Sequence, residues 1–402
     1  MASFKYIAYD FYGREKRGKI KAYNKAQAIN QLRNDGLKVE SIEAIKESIW
    51  TKDIYIGKPV KTSEFVLFLE QFATLMNAGI TIVDCIDILK VQTKNKVLKE
   101  TLTYIEIDMK QGNSLTEALR KHPRIFPPIT VNIIHSGEAS GSLDTALKDL
   151  SNYYKKRDET ARKIKTTLTY PVVVLFVAMA VVIFMMVVVV PQFVDMFAQF
   201  DAELPAITQA VLNISNFIQA WWFMIGLAFI LLIFGCFLLF RYESTRKKID
   251  YYLLKVPILG NIVLKSNIAN ITRTLSSLLK NGVPILESIQ LVQETVSNKE
   301  IRQTLEEARS SLKRGGTLSG PFIENKIYPY LMTQMISVGE KTGSLEKMLE
   351  ETAKIYEEDV ETVSEQLKSL LEPFTIIFLS IIVGTIILAI VVPMFDLFNQ
   401  IN

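Results

Sequence analysis

The chain has 402 residues, of which 49% are hydrophobic and 22% charged, and its mean hydropathy is +0.21. The length indicates two or three domains, and the positive hydropathy argues against an ordinary soluble protein. Lys and Arg are absent from 166–240 and from 369–402. The other segments carry +9, from 46 basic and 37 acidic residues, and the two basic-free zones carry −5. Because acids and bases interleave in the polar segments, no direct nucleic-acid partner is expected.

The first 55 residues predict a small α+β domain. Apolar alternation indicates strands over Phe4–Tyr9 and Lys19–Tyr23 around a turn at Asp10–Gly18. A helix is expected over Lys25–Asn34 and a further strand near Leu37–Ile42. A linker at 56–61 then leads to the next domain, which covers 62–170.

Gly13–Ile20 has the G-x4-G-K spacing of a phosphate-binding loop. Ile20 stands where such a loop needs Ser or Thr for magnesium, and no helix is predicted to begin there. We therefore interpret this stretch as the basic tip of a hairpin, with lysines protecting a sheet edge.

The segment 62–170 predicts a bundle of about six helices. Apolar residues of Glu64–Ala78 fall on one helix face, and Gly79 supplies the stop. Capping boxes are expected at Thr81 with Asp84 and at Ser114 with Glu117. The other helices are expected at Lys94–Gln111, after Ser114, at about Pro128–His135 and from about Ser142.

The chain repeats itself. Gly79 and Gly282 are 203 positions apart, and after a one-residue deletion Pro127 and Pro329 are 202 apart. The strings G-E-A-S-G-S-L at 137–143 and G-E-K-T-G-S-L at 339–345 keep that register. Chance does not maintain a register over a hundred residues, so 241–371 is a second helical repeat, in which Pro284 is expected in a first turn.

Three apolar stretches predict transmembrane helices. Val172–Val190 holds no polar side chain and as a helix is about 28 Å long, close to the hydrocarbon thickness of a bilayer. The expected spans are 171–191, 221–240 and 372–393. Prolines mark the membrane boundaries of the first and third, namely Pro171, Pro191, Pro373 and Pro393.

Lys and Arg flank the start of the first span and the end of the second, whereas the 192–220 loop has three acids and no base. The positive-inside rule then places the N-terminus and both repeats in the cytoplasm. The 192–220 loop and the tail 394–402 are expected outside. The first 165 residues lack the apolar segment of a secretory signal. Matching spans cross in the same direction, so the repeats are parallel rather than inverted.

The repeated strings supply the candidate site residues, Gly137, Glu138 and Gly141 with their equivalents Gly339, Glu340 and Gly343. In the preferred, structural interpretation, the first glycine ends one helix while Ser140 or Ser142, and Thr342 or Ser344, cap the next. The glutamate is then buried or paired with a helix dipole. Alternatively, this turn forms a partner surface in both repeats.

No catalytic, metal-binding or cofactor-binding set is predicted. Cys85 and Cys236 lie in a bundle helix and a span, which supports neither a disulfide nor a zinc site. His122 and His135 have no nucleophile or carboxylate at motif spacing. The spans offer no polar path through lipid, so a channel or transporter component is a disfavoured alternative.

Nearly the whole chain resembles the inner-membrane platform proteins of type IV pilus and type II secretion machines. The resemblance is carried by the duplication, the three spans and the Y-x-A-Y-D-x-x-G stretch that begins at Tyr6. It also rests on Lys163-Ile164, Leu168-Thr169-Tyr170-Pro171 and Val189-Val190-Pro191, with Thr167 as a departure from the usual pattern.

The resemblance implies a mainly α, polytopic protein of the bacterial inner membrane that is not an enzyme and needs no cofactor. Its expected partners are a cytoplasmic hexameric ATPase, pilins or pseudopilins, other inner-membrane assembly proteins and further copies of itself. ATPase movement would be coupled to insertion of pilin subunits into a filament. Pilus, secretion and DNA-uptake systems remain open, and the full N-terminal domain favours the first two.

Overall fold

The computed structural model describes residues 2–22, 25–34, 36–44, 59–189, 191–192, 206–241 and 243–401. The chain separates into two units, Met1–Pro59 and Val60–Asn402. Residues 56–58 of the predicted linker lie outside the described residues.

The N-terminal unit is a three-stranded antiparallel sheet with one helix. Its elements are β1 (Ala2–Tyr9), β2 (Glu15–Ala22), α1 (Lys25–Asn34) and β3 (Lys38–Ala44). The strand order is β2-β1-β3. Phe4 from β1, Leu32 from α1 and Ile42 from β3 form the core, so one sheet face is covered by the helix. The α+β prediction is confirmed.

The stretch with phosphate-loop spacing forms a hairpin. The Asp10 carboxylate accepts hydrogen bonds of 2.9 Å from the backbone N–H groups of Tyr12 and Arg14, which closes the turn. Gly18 and Ile20 belong to β2 and pair with Tyr6 and Phe4 of β1. The interpretation as a hairpin is confirmed, although β2 begins four residues earlier than predicted.

The second unit contains six helices in each repeat. In the first repeat they are α2 (Thr62–Asn77), α3 (Ile82–Gln92), α4 (Lys96–Lys110), α5 (Leu115–Arg120), α6 (Pro128–Ser140) and α7 (Leu143–Phe184). A π-helical turn, Met185–Val189, extends α7, and α8 (Ala206–Arg241) and α9 (Glu243–Lys255) follow. The second repeat has α10 (Leu259–Lys280), α11 (Ile285–Thr295), α12 (Lys299–Lys313), α13 (Ser319–Glu324), α14 (Tyr330–Thr342) and α15 (Leu345–Ile401).

Local sequence sets several helix starts. Ser114 and Glu117 form the full capping box that was predicted. Thr81 caps α3, but the Asp84 carboxylate accepts from the Thr81 hydroxyl, at 2.7 Å, instead of from its backbone N–H. Pro284 is the residue before α11, not inside its first turn, and α9 was not predicted.

One hydrophobic core runs through both repeats. It includes the fully buried Phe72, Leu102 and Phe126 of the first repeat and Leu275 and Phe322 of the second. Helix α2 packs on α7, α10 packs on α15, and α7 contacts both α10 and α15. The two repeats therefore share a core across their last helices.

Within the described residues, two helices are long and apolar enough to cross a membrane, 143–189 and 345–388. Pro171 lies inside α7 and Pro373 inside α15, so both helices continue through the predicted membrane boundary. Apolar side chains on these stretches are exposed, with Phe176 at 75% and Phe374 at 78%. Exposed apolar surface of this extent is typical of lipid or partner contact.

The predicted second span, 221–240, lies within α8, whose membrane crossing stays a prediction. This helix begins at Ala206, so the second half of the predicted 192–220 loop is helical, while 193–205 lies outside the described residues. Met186, Val211 and Ile386 form a small buried cluster between α8 and the two long helices. The Ser215 hydroxyl donates to the Met186 carbonyl at 2.5 Å, in the π-helical turn.

Candidate functional site

The two candidate turns occupy the same place in each repeat. The first joins α6 to α7, and the second joins α14 to α15. Each turn therefore precedes the helix that continues into an apolar stretch.

Glu138 holds the start of a neighbouring helix. Its Oε1 accepts from the backbone N–H of Leu115 at 2.9 Å, and its Oε2 accepts from the N–H of Thr116 at 3.0 Å. The Thr116 hydroxyl also donates to Oε2 at 2.5 Å. The first N–H groups of a helix have no partner within that helix, and they favour a negative charge. The Glu138 carboxylate thus joins α6 to α5.

Glu340 makes the same contacts in the second repeat. Its carboxylate accepts from the backbone N–H of Leu318, and its Oε2 accepts from the N–H of Ser319 at 3.2 Å. The Ser319 hydroxyl donates to that oxygen at 2.8 Å. Thr116 and Ser319 are equivalent positions, so the duplication has kept both the acceptor and the donor hydroxyl.

The glycines of the two turns have different tasks. A Cβ on Gly137 would lie 2.6 Å from the Ala146 Cβ, and one on Gly339 would lie 2.9 Å from the Leu345 Cα. No side chain fits there, because the two helices meet at these positions. Gly141 and Gly343 end the helices with φ of 72° and 69°, a conformation that favours glycine.

Two details of the predicted turn are wrong. Gly137 and Gly339 do not end their helices, which continue to Ser140 and Thr342. Ser142 precedes α7 without a side-chain capping bond, because its hydroxyl pairs with that of Ser140 at 2.7 Å. The glutamate, not the serine, supplies a helix cap, and it caps α5 rather than α7.

A charged groove of about 770 Å³ lies between the repeats, lined by side chains of α7, α10 and α15. Arg273 forms a two-bond contact with Glu357, with both N–O distances at 2.9 Å. Lys280 contacts Asp149 at 2.8 Å, across the boundary between the repeats. Sequence reasoning did not identify these residues.

A signal for the Arg273–Glu357 pair was nevertheless present in the repeat. The equivalent positions in the first repeat are Glu70 and Lys155, which lie 3.5 Å apart. The acid and the base have exchanged places between the repeats. When both positions of a pair reverse their charge together between two repeats, the two positions are in spatial contact. Here the contacts are between α2 and α7 and between α10 and α15.

The histidines and the cysteines lie apart from these turns. Burial lowers the pKa of the half-buried His122 imidazole, whereas His135 is exposed. Burial raises the pKa of the Cys85 thiol, and the Cys236 side chain lies outside the described part. Among the described residues, no group of three or more His, Cys, Asp and Glu is placed to hold a metal ion.

Two bundles that share a core, each ending in a long apolar helix, define a duplicated helical protein with helices of membrane-spanning length. The family model described as type II secretion system (T2SS), protein F, matches the chain twice, at 68–191 and 271–393. The model of that family's N-terminal domain matches 1–43. The chain belongs to this family, and both the predicted repeat and the resemblance to platform proteins are confirmed.

Relatives match along the whole chain. The type IV pilus assembly protein PilC of Myxococcus xanthus is 32% identical over 392 residues, 97% of this chain and 94% of that protein. The protein of the same name from Pseudomonas aeruginosa is 33% identical over 385 residues, 95% of this chain and all of that protein. Type II secretion system protein F of Pseudomonas aeruginosa is 29% identical over 404 residues, 100% of this chain and 99% of that protein.

Replacing Glu138 by Gln removes the charge that faces the start of α5 and sets an amide donor against N–H donors. We expect Glu138→Gln to lower the free energy of unfolding by about 1–3 kcal/mol, Glu340→Gln to do the same, and Glu138→Lys to cost more. The midpoint of thermal denaturation of the detergent-purified protein measures this, with the exposed Glu365→Gln as control. Unchanged stability with lost function would instead make the turn a partner surface.

Arg273→Glu sets two carboxylates against each other and should destabilise the protein by about 3 kcal/mol. The double variant Arg273→Glu, Glu357→Lys recreates the ion pair of the first repeat, so most of the loss should be recovered. Thermal midpoints of the two single variants and the double variant complete the cycle. A double variant no more stable than the worse single variant would contradict the equivalence of the two pairs.

The lowered pKa of His122 means that the unfolded chain binds its proton more readily than the folded one. Stability should therefore fall as the pH drops through about 6.5, and this loss should end below the folded pKa. His122→Gln should make the thermal midpoint less dependent on pH between about 7 and 5. Equal pH profiles for wild type and His122→Gln would contradict this.

Proposed function

We propose that this protein is a non-enzymatic inner-membrane platform of a type IV pilus machine. In this role it couples movement of a cytoplasmic hexameric ATPase to insertion of pilins into a growing filament. Membership of the family and the names of its relatives support a pilus or secretion platform. Relatives named as pilus assembly proteins are 30–33% identical and those named as secretion proteins 27–31%, which favours the pilus. A type II secretion or DNA-uptake platform is the alternative.

The observation that supports the proposed coupling is the continuity of the last helix, α15. Helix α15 has 57 residues, which corresponds to about 85 Å at 1.5 Å per residue. It begins in the core of the second repeat and continues into exposed apolar surface. A push on the bundle would move the apolar end of the helix with it, where pilin helices can make contact.

The proposed topology has three spans, at 171–191, 221–240 and 372–393. Both repeats and the N-terminal domain lie in the cytoplasm, within reach of the ATPase, and the tail 394–402 lies outside. The distribution of Lys and Arg supports this orientation, since basic residues flank the proposed cytoplasmic ends of the first two spans and the 192–220 loop has none. The parallel repeats then lie on the membrane in the same way, and copies of the chain assemble into a homo-oligomer with other inner-membrane assembly proteins.

The glutamates and glycines of the repeat turns have a structural role in this proposal. They fix the angle at which α7 and α15 leave their bundles, because Glu138 and Glu340 secure the preceding helix and the glycines permit close packing. The chain itself binds no cofactor and performs no chemistry. The energy comes from the ATPase.

Deletion of the gene should abolish surface filaments and leave enzyme export and DNA uptake intact. All three are scored in the same strain, since a loss of export or uptake alone would assign the protein to those systems. If all three persist, the proposed function is wrong.

Complementation tests the role of helix continuity. Adding a four-residue Gly-Ser segment after Lys368 interrupts α15 at the proposed membrane boundary. The variant should still integrate into the membrane but should not restore filaments. The same insertion after Gly315, in the loop between α12 and α13, is the control and should restore filaments. Equal restoration by both insertions would contradict mechanical coupling through α15.

A further inference from the structure

The two repeats meet through different surfaces. Beside the α7–α15 packing, α6 and α7 of the first repeat contact the C-terminal part of α10 of the second repeat. The Ser136 hydroxyl donates to the Asn281 carbonyl, and the Thr274 hydroxyl donates to the Tyr153 hydroxyl at 3.2 Å. With the Asp149–Lys280 ion pair, these bonds define the contact.

Ser136 lies on a buried face of α6. Ile129, Ile133 and Ser136 are spaced i, i+4 and i+7, so they lie on the same side of the helix. Ile129 and Ile133 are buried, at 3% and 0% exposure, and Ser136 reaches the second repeat.

Among the residues that the structure describes, the equivalent face of the second repeat is largely exposed. Its residues, called here the docking stripe, are Leu331, Met335 and Val338 of α14. Leu331 and Val338 are each 47% exposed and Met335 is half-buried. The repeats share one helix order, yet this face is buried in the first repeat and largely exposed in the second. Where the first repeat has a polar Ser136, the second has an apolar Val338.

The other side of the contact also has an equivalent surface, which lies on the first repeat and is largely exposed among the described residues. In the second repeat, Thr274 and Ser277 are buried and Asn281 is half-buried. Their equivalents, called here the receiving face, are Gln71 and Thr74 of α2 and Ala78, which directly follows it. Thr74 and Ala78 are exposed and Gln71 is half-buried, so within the described residues both halves of the same contact are largely exposed.

We propose that the docking stripe of one copy packs on the receiving face of a second copy, repeating between chains the contact that joins the repeats within one chain. This deepens the proposed function by giving the homo-oligomer its surfaces. The contact is heterologous, so it generates a ring when the rotation closes. The proposed parallel topology keeps the second copy in the same membrane and the same orientation.

A second copy of the chain is favoured over another partner, because the contact between the two repeats within one chain already provides a model for the contact between copies. The receiving face is the counterpart of a surface that Ser136 of α6 and Tyr153 of α7 contact within the chain. The α7–α15 packing within the chain also continues to the apolar ends, where Met186 and Ile386 share a cluster. The same arrangement between copies would add membrane contacts to the proposed interface.

Cysteine cross-linking in native membranes tests the proposal. Two differently tagged full-length copies are co-expressed with Cys85 and Cys236 replaced by Ala, one carrying Val338→Cys and the other Ala78→Cys. A short bismaleimide should join the two tags. The intrachain equivalent, Ser136→Cys with Asn281→Cys, is the positive control. Val91→Cys in place of Val338→Cys is the negative control, since Val91 is 70% exposed on α3.

A product with both tags from the 338/78 pair, absent from the 91/78 pair, supports the proposal. No such product while the 136/281 pair reacts overturns it, as does a cross-link from the Val338→Cys copy to a different protein, identified by mass. Surface filaments are scored in the same strains. Filaments without the 338/78 product overturn the docking arrangement alone, whereas filaments that persist after gene deletion overturn the proposed function.

A second variant tests the stripe without cross-linking. Val338→Lys places a charge where the proposed contact is dry and should lower co-purification of the two tagged copies roughly tenfold or more. Val91→Lys, the matched exposed control, should leave co-purification unchanged. Equal co-purification for both variants and wild type overturns the proposal.

Discussion

Helices α7 and α15 each begin in the shared core of the two repeats and continue, past an internal proline, into exposed apolar surface. This continuity constrains the rest of the second unit. Helix α2 must pack on α7 and α10 on α15, and the pair α7–α15 must carry the boundary between the repeats. Ion pairs and apolar packing therefore both concentrate along these two helices, and the direction in which each leaves its bundle becomes part of the fold.

In each repeat a turn directly precedes the helix that leaves the bundle. Glu138 and Glu340 each bridge a short helix and the helix before the turn, using a charge where N–H groups are otherwise unpaired. The glycine one residue earlier allows the next helix to approach without a side chain between them. Because charge and close approach act together, the turn is more constrained than a solvent-exposed loop of the same length. Its conservation between the two repeats has this physical basis.

Patterns that are local in sequence were predictable. The periodicity of α2, the Ser114–Glu117 capping box, the N-terminal strands and the repeat register all follow from residues close together in the chain. The corrections concern partners distant in sequence, since Glu138 caps a helix that begins 23 residues earlier and periodicity carries no such information. The interface between the repeats depends likewise on tertiary packing, although the exchanged charges at Glu70–Lys155 and Arg273–Glu357 were a readable sign of it.

That exchange of charges has a consequence during folding. Two similar repeats in one chain risk exchanging helices, with α2 packing on α15 and α10 on α7. In such a mispaired state Glu70 would face Glu357 and Arg273 would face Lys155, so both contacts would bring like charges together. The correct pairing brings opposite charges together in both repeats. The reversed ion pair therefore favours the correct pairing of helices over the exchanged one. A duplicated chain can then keep two similar cores without mispairing its repeats.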